Sequence, residues 1–153
     1  MSTVPTRDGG RGWQAAESRV SVSRQTVILC IDDNSTALNI RQALLQAKGF
    51  VVRTATDGLS GLEITNNEPV DAVILDYQMP GMDGEEVAKR LRAQHPHIPI
   101  LLLTGFPGLV PESLLSIVDG FVEKGRPAAL LVSEVERLTR AGGNPETEER
   151  RRA

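Results

Sequence analysis

Residues 27–33 read Val-Ile-Leu-Cys-Ile-Asp-Asp, so five apolar residues run without interruption into two carboxylates. A short, uniformly apolar run is typical of a strand that is covered on both faces, as in the centre of a parallel sheet. Two other runs, 72–75 and 100–103, are also almost entirely apolar, and they lead into Asp76 and Thr104. The sequence therefore predicts a parallel sheet whose strands end in polar residues.

The segments between these runs predict helices and two further strands, Val51–Ala55 and Gly120–Val122. Apolar residues at helical spacing predict a first helix from about Ser35 to Lys48, capped by Asn34 or Ser35, with its buried face on Ala37, Ile40, Leu44 and Ala47. The same spacing predicts a short second helix before Pro69, a third after Gly84 and a last one, with apolar faces on Leu59 and Leu62, on Val87, Ala88 and Leu91, and on Leu131, Val135 and Leu138. This series predicts an α/β fold with a three-layer, doubly wound, five-stranded parallel sheet.

The segment between Thr104 and Phe121 contains Pro107, Gly108 and Pro111. Proline and glycine disfavour helix here until about Glu112. We therefore expect the fourth helix to be short or irregular.

The 153-residue chain has a net charge of −3, although residues 1–24 carry four Arg against one Asp and one Glu. Those residues are rich in Ser, Thr and Gly and lack a sustained period, which predicts a disordered tail. Residues 25–140 are expected to form one domain, and residues 141–153 a charged tail that begins where Gly, Asn and Pro stop the last helix. The acidic middle of the chain disfavours direct binding to nucleic acid.

The single cysteine, Cys30, lies inside the first apolar run, so an intrachain disulfide is excluded and a small buried hydrophobic residue is favoured. The first residues contain charges and no apolar leader, and no stretch approaches the roughly 18 apolar residues of a membrane span. We therefore expect no membrane association and a cytoplasmic location.

The polar residues at the predicted strand ends are Asp32, Asp33, Asp76, Thr104 and Lys124. Because ligands of such sheets bind at the carboxyl ends of the strands, we expect these five residues to converge. Three carboxylates repel one another unless a cation neutralises them, and oxygen ligands without His or Cys suit Mg²⁺. Asp76 can then attack phosphorus, while Lys124 and the hydroxyl of Thr104 stabilise the phosphoryl oxygens.

Four stretches resemble the receiver domains of bacterial two-component response regulators, and the resemblance covers about residues 25–140. They are Ile-Asp32-Asp33-Asn, Ile-Leu-Asp76-Tyr-Gln-Met-Pro-Gly-Met-Asp-Gly84, Leu-Leu-Thr104-Gly and Phe121-Val-Glu-Lys124. The resemblance implies a flavodoxin-like fold with strand order 2-1-3-4-5.

The resemblance also implies a role for each site residue. Asp76 is expected to be the phosphorylated residue, and Mg²⁺ is expected to be held by Asp32, Asp33, Asp76 and the backbone carbonyl of Gln78. Thr104 and Phe121 are expected to form a switch pair that remodels the face made by the fourth helix, fifth strand and fifth helix.

The partners that the resemblance implies are a sensor histidine kinase or a histidine phosphotransfer protein, which donates the phosphoryl group, and a downstream protein target. We expect a stand-alone signalling domain that catalyses only its own phosphorylation and dephosphorylation. The alternatives are a phosphate sink, a pseudo-receiver that binds a partner without phosphorylation, and a Mg²⁺-dependent phosphohydrolase. The last usually needs an acid–base carboxylate two residues beyond the nucleophile, where this chain has Gln78.

Overall fold

One parallel sheet organises the computed structural model, which describes residues 25–79 and 81–143. Its strands are β1 (Val27–Ile31), β2 (Val51–Ala55), β3 (Ala72–Asp76), β4 (Ile100–Thr104) and β5 (Gly120–Glu123). They lie in the order β2-β1-β3-β4-β5, and each neighbouring pair is parallel. The predicted fold class and strand order are therefore confirmed.

Five α-helices connect or follow the strands: α1 (Ser35–Ala47), α2 (Gly58–Asn67), α3 (Gly84–Gln94), α4 (Glu112–Leu115) and α5 (Ala128–Gly143). Asn34 caps α1, since its side chain accepts a hydrogen bond from the Ala37 amide at 3.0 Å. A 3₁₀ turn over Pro107–Leu109 precedes α4, which makes only one turn, as the prolines predicted. No helix within the two described ranges is long and apolar enough to cross a bilayer.

The predicted tails lie largely outside the described residues. The disordered tail expected over 1–24 is one such segment, and residues 144–153 of the predicted charged tail are another. Helix α5 continues through Gly143, where Asn and Pro follow in the sequence.

The hydrophobic core has two halves, one on each face of the sheet. Along β1, Leu29 and Ile31 pack into the half that includes residues of α2, α3 and α4. Ile28 and Cys30 point into the other half, with residues of α1 and α5. Cys30 is fully buried, and desolvation raises the pKa of its thiol to about 12, so its predicted role as a small buried hydrophobic residue is confirmed.

The buried face of α1 differs from the predicted one. Ile40 is 66% exposed, whereas Leu38 and Leu45 are buried and Arg41 lies between them on the same stripe. Leu38, Arg41 and Leu45 have the spacing i, i+3, i+7 of one helical face. A search for apolar residues alone does not detect this face, because its middle residue is an arginine. In α2, Leu59 is also exposed, while the predicted faces of α3 and α5 are confirmed.

A polar cluster ties α3 to the sheet at the amino end of the strands. Arg92 donates hydrogen bonds to the Ile117 carbonyl at 2.7 Å, to the Pro96 carbonyl at 3.0 Å and to the Asp119 carboxylate at 2.7 Å. The same oxygen of Asp119 accepts a hydrogen bond from the Ile100 amide at 2.8 Å. We refer to this Arg92–Asp119 group as the amino-end clasp.

Candidate functional site

Three carboxylates meet at the carboxyl ends of β1 and β3. Asp32 follows β1 and Asp76 ends β3, and both are buried, at 1% and 2% exposure, whereas Asp33 is exposed. One carboxylate oxygen of each of the three lies within 4.8 Å of those of the others. The structure therefore brings together the three acidic residues that the sequence singled out, and we call them the acidic cluster.

Lys124 reaches the acidic cluster from the end of β5. Its backbone amide donates to the Thr104 carbonyl at 2.8 Å, which extends the pairing of β5 with β4. Its ammonium nitrogen lies 2.7 Å from Oδ1 of Asp76. That oxygen is buried and makes no hydrogen bond of good geometry within the described residues, so the contact is an ion pair.

The environment of Asp76 disfavours its charged form. Burial raises the pKa of the Asp76 carboxyl above its ordinary value, and the negative charge of Asp32 adds to the rise. The ion pair with Lys124 and the backbone N–H of Gln78 oppose it. Asp76 is thus a buried carboxylate that a further positive charge would stabilise.

Asp32 has a cationic neighbour that the sequence pattern did not predict. Its Oδ1 accepts a hydrogen bond from the Asn34 amide at 2.9 Å, and its Oδ2 accepts one from Nη2 of Arg41 at 3.3 Å. The sequence did contain a signal for this contact, because Arg41 lies three residues after Leu38 and four before Leu45, on the same face of α1. A charge on the buried face of a helix requires a partner, and the strand-end carboxylate supplies it.

The two residues of the predicted switch pair lie on neighbouring strands. Thr104 is buried at the end of β4, and its hydroxyl oxygen accepts a hydrogen bond from the Phe106 amide at 3.1 Å. Phe121 is 46% exposed, so it is not a core aromatic. The hydroxyl of Thr104 is therefore engaged with the β4–α4 loop, and the Phe121 ring faces solvent.

A cavity of about 560 Å³ opens over the acidic cluster. Gln78 and Lys124 line it with the three carboxylates, and α1 and α5 supply apolar wall residues such as Leu44 and Leu131. A hard divalent cation prefers oxygen ligands of this kind. The three close carboxylate oxygens, two of them on the buried residues Asp32 and Asp76, fit such an ion.

Gly84 fixes the loop that follows Asp76. Its amide donates to the Tyr77 carbonyl at 2.9 Å at the start of α3. A Cβ atom at this position would lie 2.7 Å from the Tyr77 Cα and 2.8 Å from the Asp76 carbonyl oxygen. Glycine therefore lets α3 approach the backbone beside the candidate phosphoacceptor, which explains the last residue of the long motif.

Curated relatives resemble this chain over most of its length. The transcriptional regulatory protein CseB of Streptomyces coelicolor is 31% identical over 130 residues, which cover 81% of this chain and 55% of CseB. The transcriptional regulatory protein TcrA of Mycobacterium tuberculosis is 32% identical over 148 residues, covering 95% of this chain and 57% of TcrA. This chain spans just over half the length of these relatives, so the stand-alone architecture stays a prediction.

Solved structures share the fold. The response regulator protein TrrA of Thermotoga maritima, in complex with Mg²⁺-BeF, superposes with a TM-score of 0.71 at 30% identity, over 74% of this chain and 99% of that one. A CheY-like receiver domain protein of Methanospirillum hungatei reaches the same TM-score at 20% identity, over 82% and 98%, and supports the fold alone.

The family comparison covers the strand-end residues together. The model of the response regulator receiver domain matches residues 28–136, a range that contains the acidic cluster, Thr104 and Lys124. Because one match accounts for both the sheet and the residues at its carboxyl edge, this chain belongs to the response regulator receiver domain family.

Proposed function

We propose that Asp76 accepts a phosphoryl group from a phosphohistidine of a sensor histidine kinase or a histidine phosphotransfer protein. A carboxylate oxygen of Asp76 bonds to phosphorus as the P–N bond breaks, and the imidazole nitrogen leaves with the electron pair and is then protonated. The product is an acyl phosphate on Asp76. The observation that carries the proposal is the buried Asp76 carboxylate, 2.7 Å from the Lys124 ammonium and beside Asp32 and Asp33.

The residues around Asp76 divide the remaining work. Asp32, Asp33, Asp76 and the Gln78 carbonyl would hold Mg²⁺, which supplies positive charge to the phosphoryl oxygens. Lys124, already paired with Asp76, offsets charge on the same group. In this reaction the chain itself is the acceptor of the phosphoryl group. A Mg²⁺-dependent phosphohydrolase would need a carboxylate at the position that Gln78 occupies.

Output through protein contacts is the second part of the proposal. After phosphorylation, the Thr104 hydroxyl leaves the Phe106 amide and donates to a phosphoryl oxygen, which frees the β4–α4 loop to move. Phe106, Leu109 and Phe121 are 62%, 70% and 46% exposed and offer apolar contacts to a target protein. The acidic net charge of the chain favours a protein target over nucleic acid.

The phosphoacceptor is tested by incubation with acetyl phosphate and Mg²⁺, followed by intact mass and peptide mapping. Wild type should gain one phosphoryl group on Asp76, and the gain should be absent with a chelator or in Asp76→Asn. Asp71→Asn changes another carboxylate, next to β3 rather than in the acidic cluster, and serves as the matched control. Equal labelling of Asp76→Asn would rule the assignment out.

Signalling is separated from a passive phosphate sink by the response of the surface. With Mg²⁺ and beryllofluoride, amide NMR signals of the β4–α4 loop should shift in wild type and shift less in Thr104→Val. Lys124→Ala should weaken this coupling more than it weakens Mg²⁺ binding. A surface that stays unchanged while Asp76 is labelled would favour the sink, and a protein whose Asp76 is never labelled would favour the pseudo-receiver.

A further inference from the structure

Arg41 brings a positive charge from α1 to the acidic cluster. Its Nη2 lies 3.3 Å from Oδ2 of Asp32, and the two side chains are only 11% and 2% exposed. A carboxylate buried to this degree is strongly disfavoured without a cation beside it. Arg41 therefore supplies Asp32 with a counter-charge from within the chain.

The contact between Arg41 and Asp32 is longer than that of a well-formed arginine–carboxylate pair. Well-formed pairs have nitrogen–oxygen distances of about 2.7–2.9 Å and often use two parallel hydrogen bonds. Here one nitrogen of Arg41 makes one long contact with Asp32, and its Nη1 is buried without a hydrogen-bond partner in the described part of the chain. A guanidinium that leaves a donor unmet is easier to displace than a bidentate one.

The charges at the site show how the Arg41–Asp32 contact affects the binding of a divalent cation. The acidic cluster holds three carboxylates, and Lys124 and Arg41 hold one positive charge each. Those two cations offset most of the repulsion among the carboxylates before any metal ion binds. A divalent cation arriving at Asp32 then meets both the carboxylate that attracts it and the guanidinium that repels it.

We propose that Arg41 is a resident counter-cation that competes with the divalent ion for Asp32. It stabilises the acidic cluster when the metal ion is absent, and it lowers the affinity of the site for the metal ion. The inference rests on the proposed function, since it concerns the same metal site. Direct binding of the phosphoryl group by Arg41 is the less favoured role, because Arg41 forms its ion pair with Asp32, whereas Asp76 pairs with Lys124.

The first test measures the dissociation constant for Mg²⁺ by amide NMR or calorimetry. Arg41→Met keeps a long apolar side chain and removes the charge, and we expect it to tighten Mg²⁺ binding on the order of tenfold. Arg41→Lys retains a charge and should stay closer to wild type. The matched control is Arg53→Met, because Arg53 pairs with Glu68 at 2.7 Å on the exposed surface and should leave Mg²⁺ affinity unchanged.

The second test measures unfolding by denaturant with a chelator and again with saturating Mg²⁺. Arg41→Met should unfold at a lower denaturant concentration than wild type in the chelator, and the difference should shrink as Mg²⁺ is added. The reason is mass action: the form that binds the ion more tightly gains more stability from it. If Arg41→Met does not fold in the chelator, adding Asp32→Asn removes the uncompensated charge and should restore folding.

Two results would overturn the proposal. The first is an unchanged Mg²⁺ dissociation constant in Arg41→Met, and the second is equal behaviour of the Met and Lys variants, which would indicate packing instead of charge. If the unchanged Mg²⁺ affinity comes with slower labelling by acetyl phosphate at saturating Mg²⁺, the result also assigns Arg41 to the phosphoryl group.

Failure of this inference and failure of the proposed function give different results. A shifted Mg²⁺ affinity in a protein whose Asp76 is never labelled contradicts the phosphoacceptor role and supports the role of Arg41. Normal labelling of Asp76 with no shift in Mg²⁺ affinity supports the phosphoacceptor role and contradicts the proposed role of Arg41.

Discussion

Two arginine–aspartate pairs lie at opposite ends of the sheet, and they differ in how fully they are satisfied. In the amino-end clasp, Arg92 contacts Asp119 at 2.7 Å and also donates to backbone carbonyls. At the carboxyl end, Arg41 contacts Asp32 at 3.3 Å and leaves Nη1 without a partner among the described residues. The first pair satisfies its hydrogen bonds within the fold. The second pair leaves one guanidinium donor of Arg41 unsatisfied.

The difference separates a structural role from a functional one. A saturated cluster can only stabilise the native state, because binding anything else would break bonds that already exist. An under-satisfied pair beside a cavity can be separated at a smaller cost, because fewer hydrogen bonds are lost when a competing ion binds one partner. Substitutions at the two ends should therefore affect different measurements.

The largest expected effect is at the amino end. Arg92→Met removes the hydrogen bonds to the Ile117 and Pro96 carbonyls and the ion pair with Asp119. We expect the free energy of unfolding to fall by roughly 2–3 kcal/mol, the scale of losing charged hydrogen bonds that are partly buried. Chemical denaturation measures this loss. Mg²⁺ affinity should stay unchanged, and a large change in it would erase the distinction between the two ends.

The next effect sharpens the comparison at the carboxyl end. Gly84→Ala places a Cβ atom against the backbone of Tyr77 and Asp76, which cannot yield as a flexible side chain can. We expect a loss of about 2 kcal/mol, typical of overpacking, together with slower phosphorylation of Asp76. Gly105→Ala is the control, because a Cβ atom there meets nothing within 4 Å. Denaturation and acetyl phosphate labelling of both variants provide the test, and equal effects would contradict the steric explanation.

A smaller effect of opposite sign is expected at Asp76, the proposed phosphoacceptor. Because burial raises the pKa of Asp76 in the folded state, its ionised form opposes folding at neutral pH. Asp76→Asn should therefore raise the free energy of unfolding of the metal-free protein by about 1 kcal/mol, the usual scale of one substitution.

The pH dependence of that gain has a defined sign. A raised pKa means that the folded protein binds the proton more tightly than the unfolded chain, whose Asp has an ordinary pKa of 3.8. The stability of wild type relative to Asp76→Asn should thus improve as the pH falls from neutral through the folded pKa towards 3.8. Denaturation at a series of pH values checks this, and a gap that widens in acid would show that burial is not the cause.

The smallest effect calibrates the others. Arg53 and Glu68 form a surface pair at 2.7 Å, shorter than the contact of Arg41, but their side chains are 47% and 36% exposed. Arg53→Met should change the free energy of unfolding by about 0.5 kcal/mol or less, since exposed pairs are screened by water and salt. A larger loss would mean that distance, and not burial, governs these pairs.

The fold was predictable because its strongest signals are local and redundant. Each central strand is a continuous apolar run, and each polar residue of the site stands at a strand end, so the parallel topology places Asp32, Asp76 and Lys124 together. The prolines after Thr104 likewise indicated the one-turn α4. In these cases, residue type and position led to the same answer.

The partner of Asp32 and the buried face of α1 were not predictable by the same route. The apolar pattern placed the face on Ile40, which is exposed, and Arg41 was left out because burial of an arginine depends on a partner elsewhere in the fold. That partner, Asp32, lies nine positions earlier in the sequence, in the loop that follows β1. The engagement of the Thr104 hydroxyl with the Phe106 amide is likewise a rotamer choice that residue type does not determine.

The single turn of α4 has a consequence for how freely its surface can vary. A helix of four residues has no stability of its own, and this segment is anchored by two buried side chains, Val110 and Leu114. The rest of its outward surface can therefore be substituted at little cost to folding. The residues of the acidic cluster lie on other elements, so such substitutions would leave the candidate site untouched.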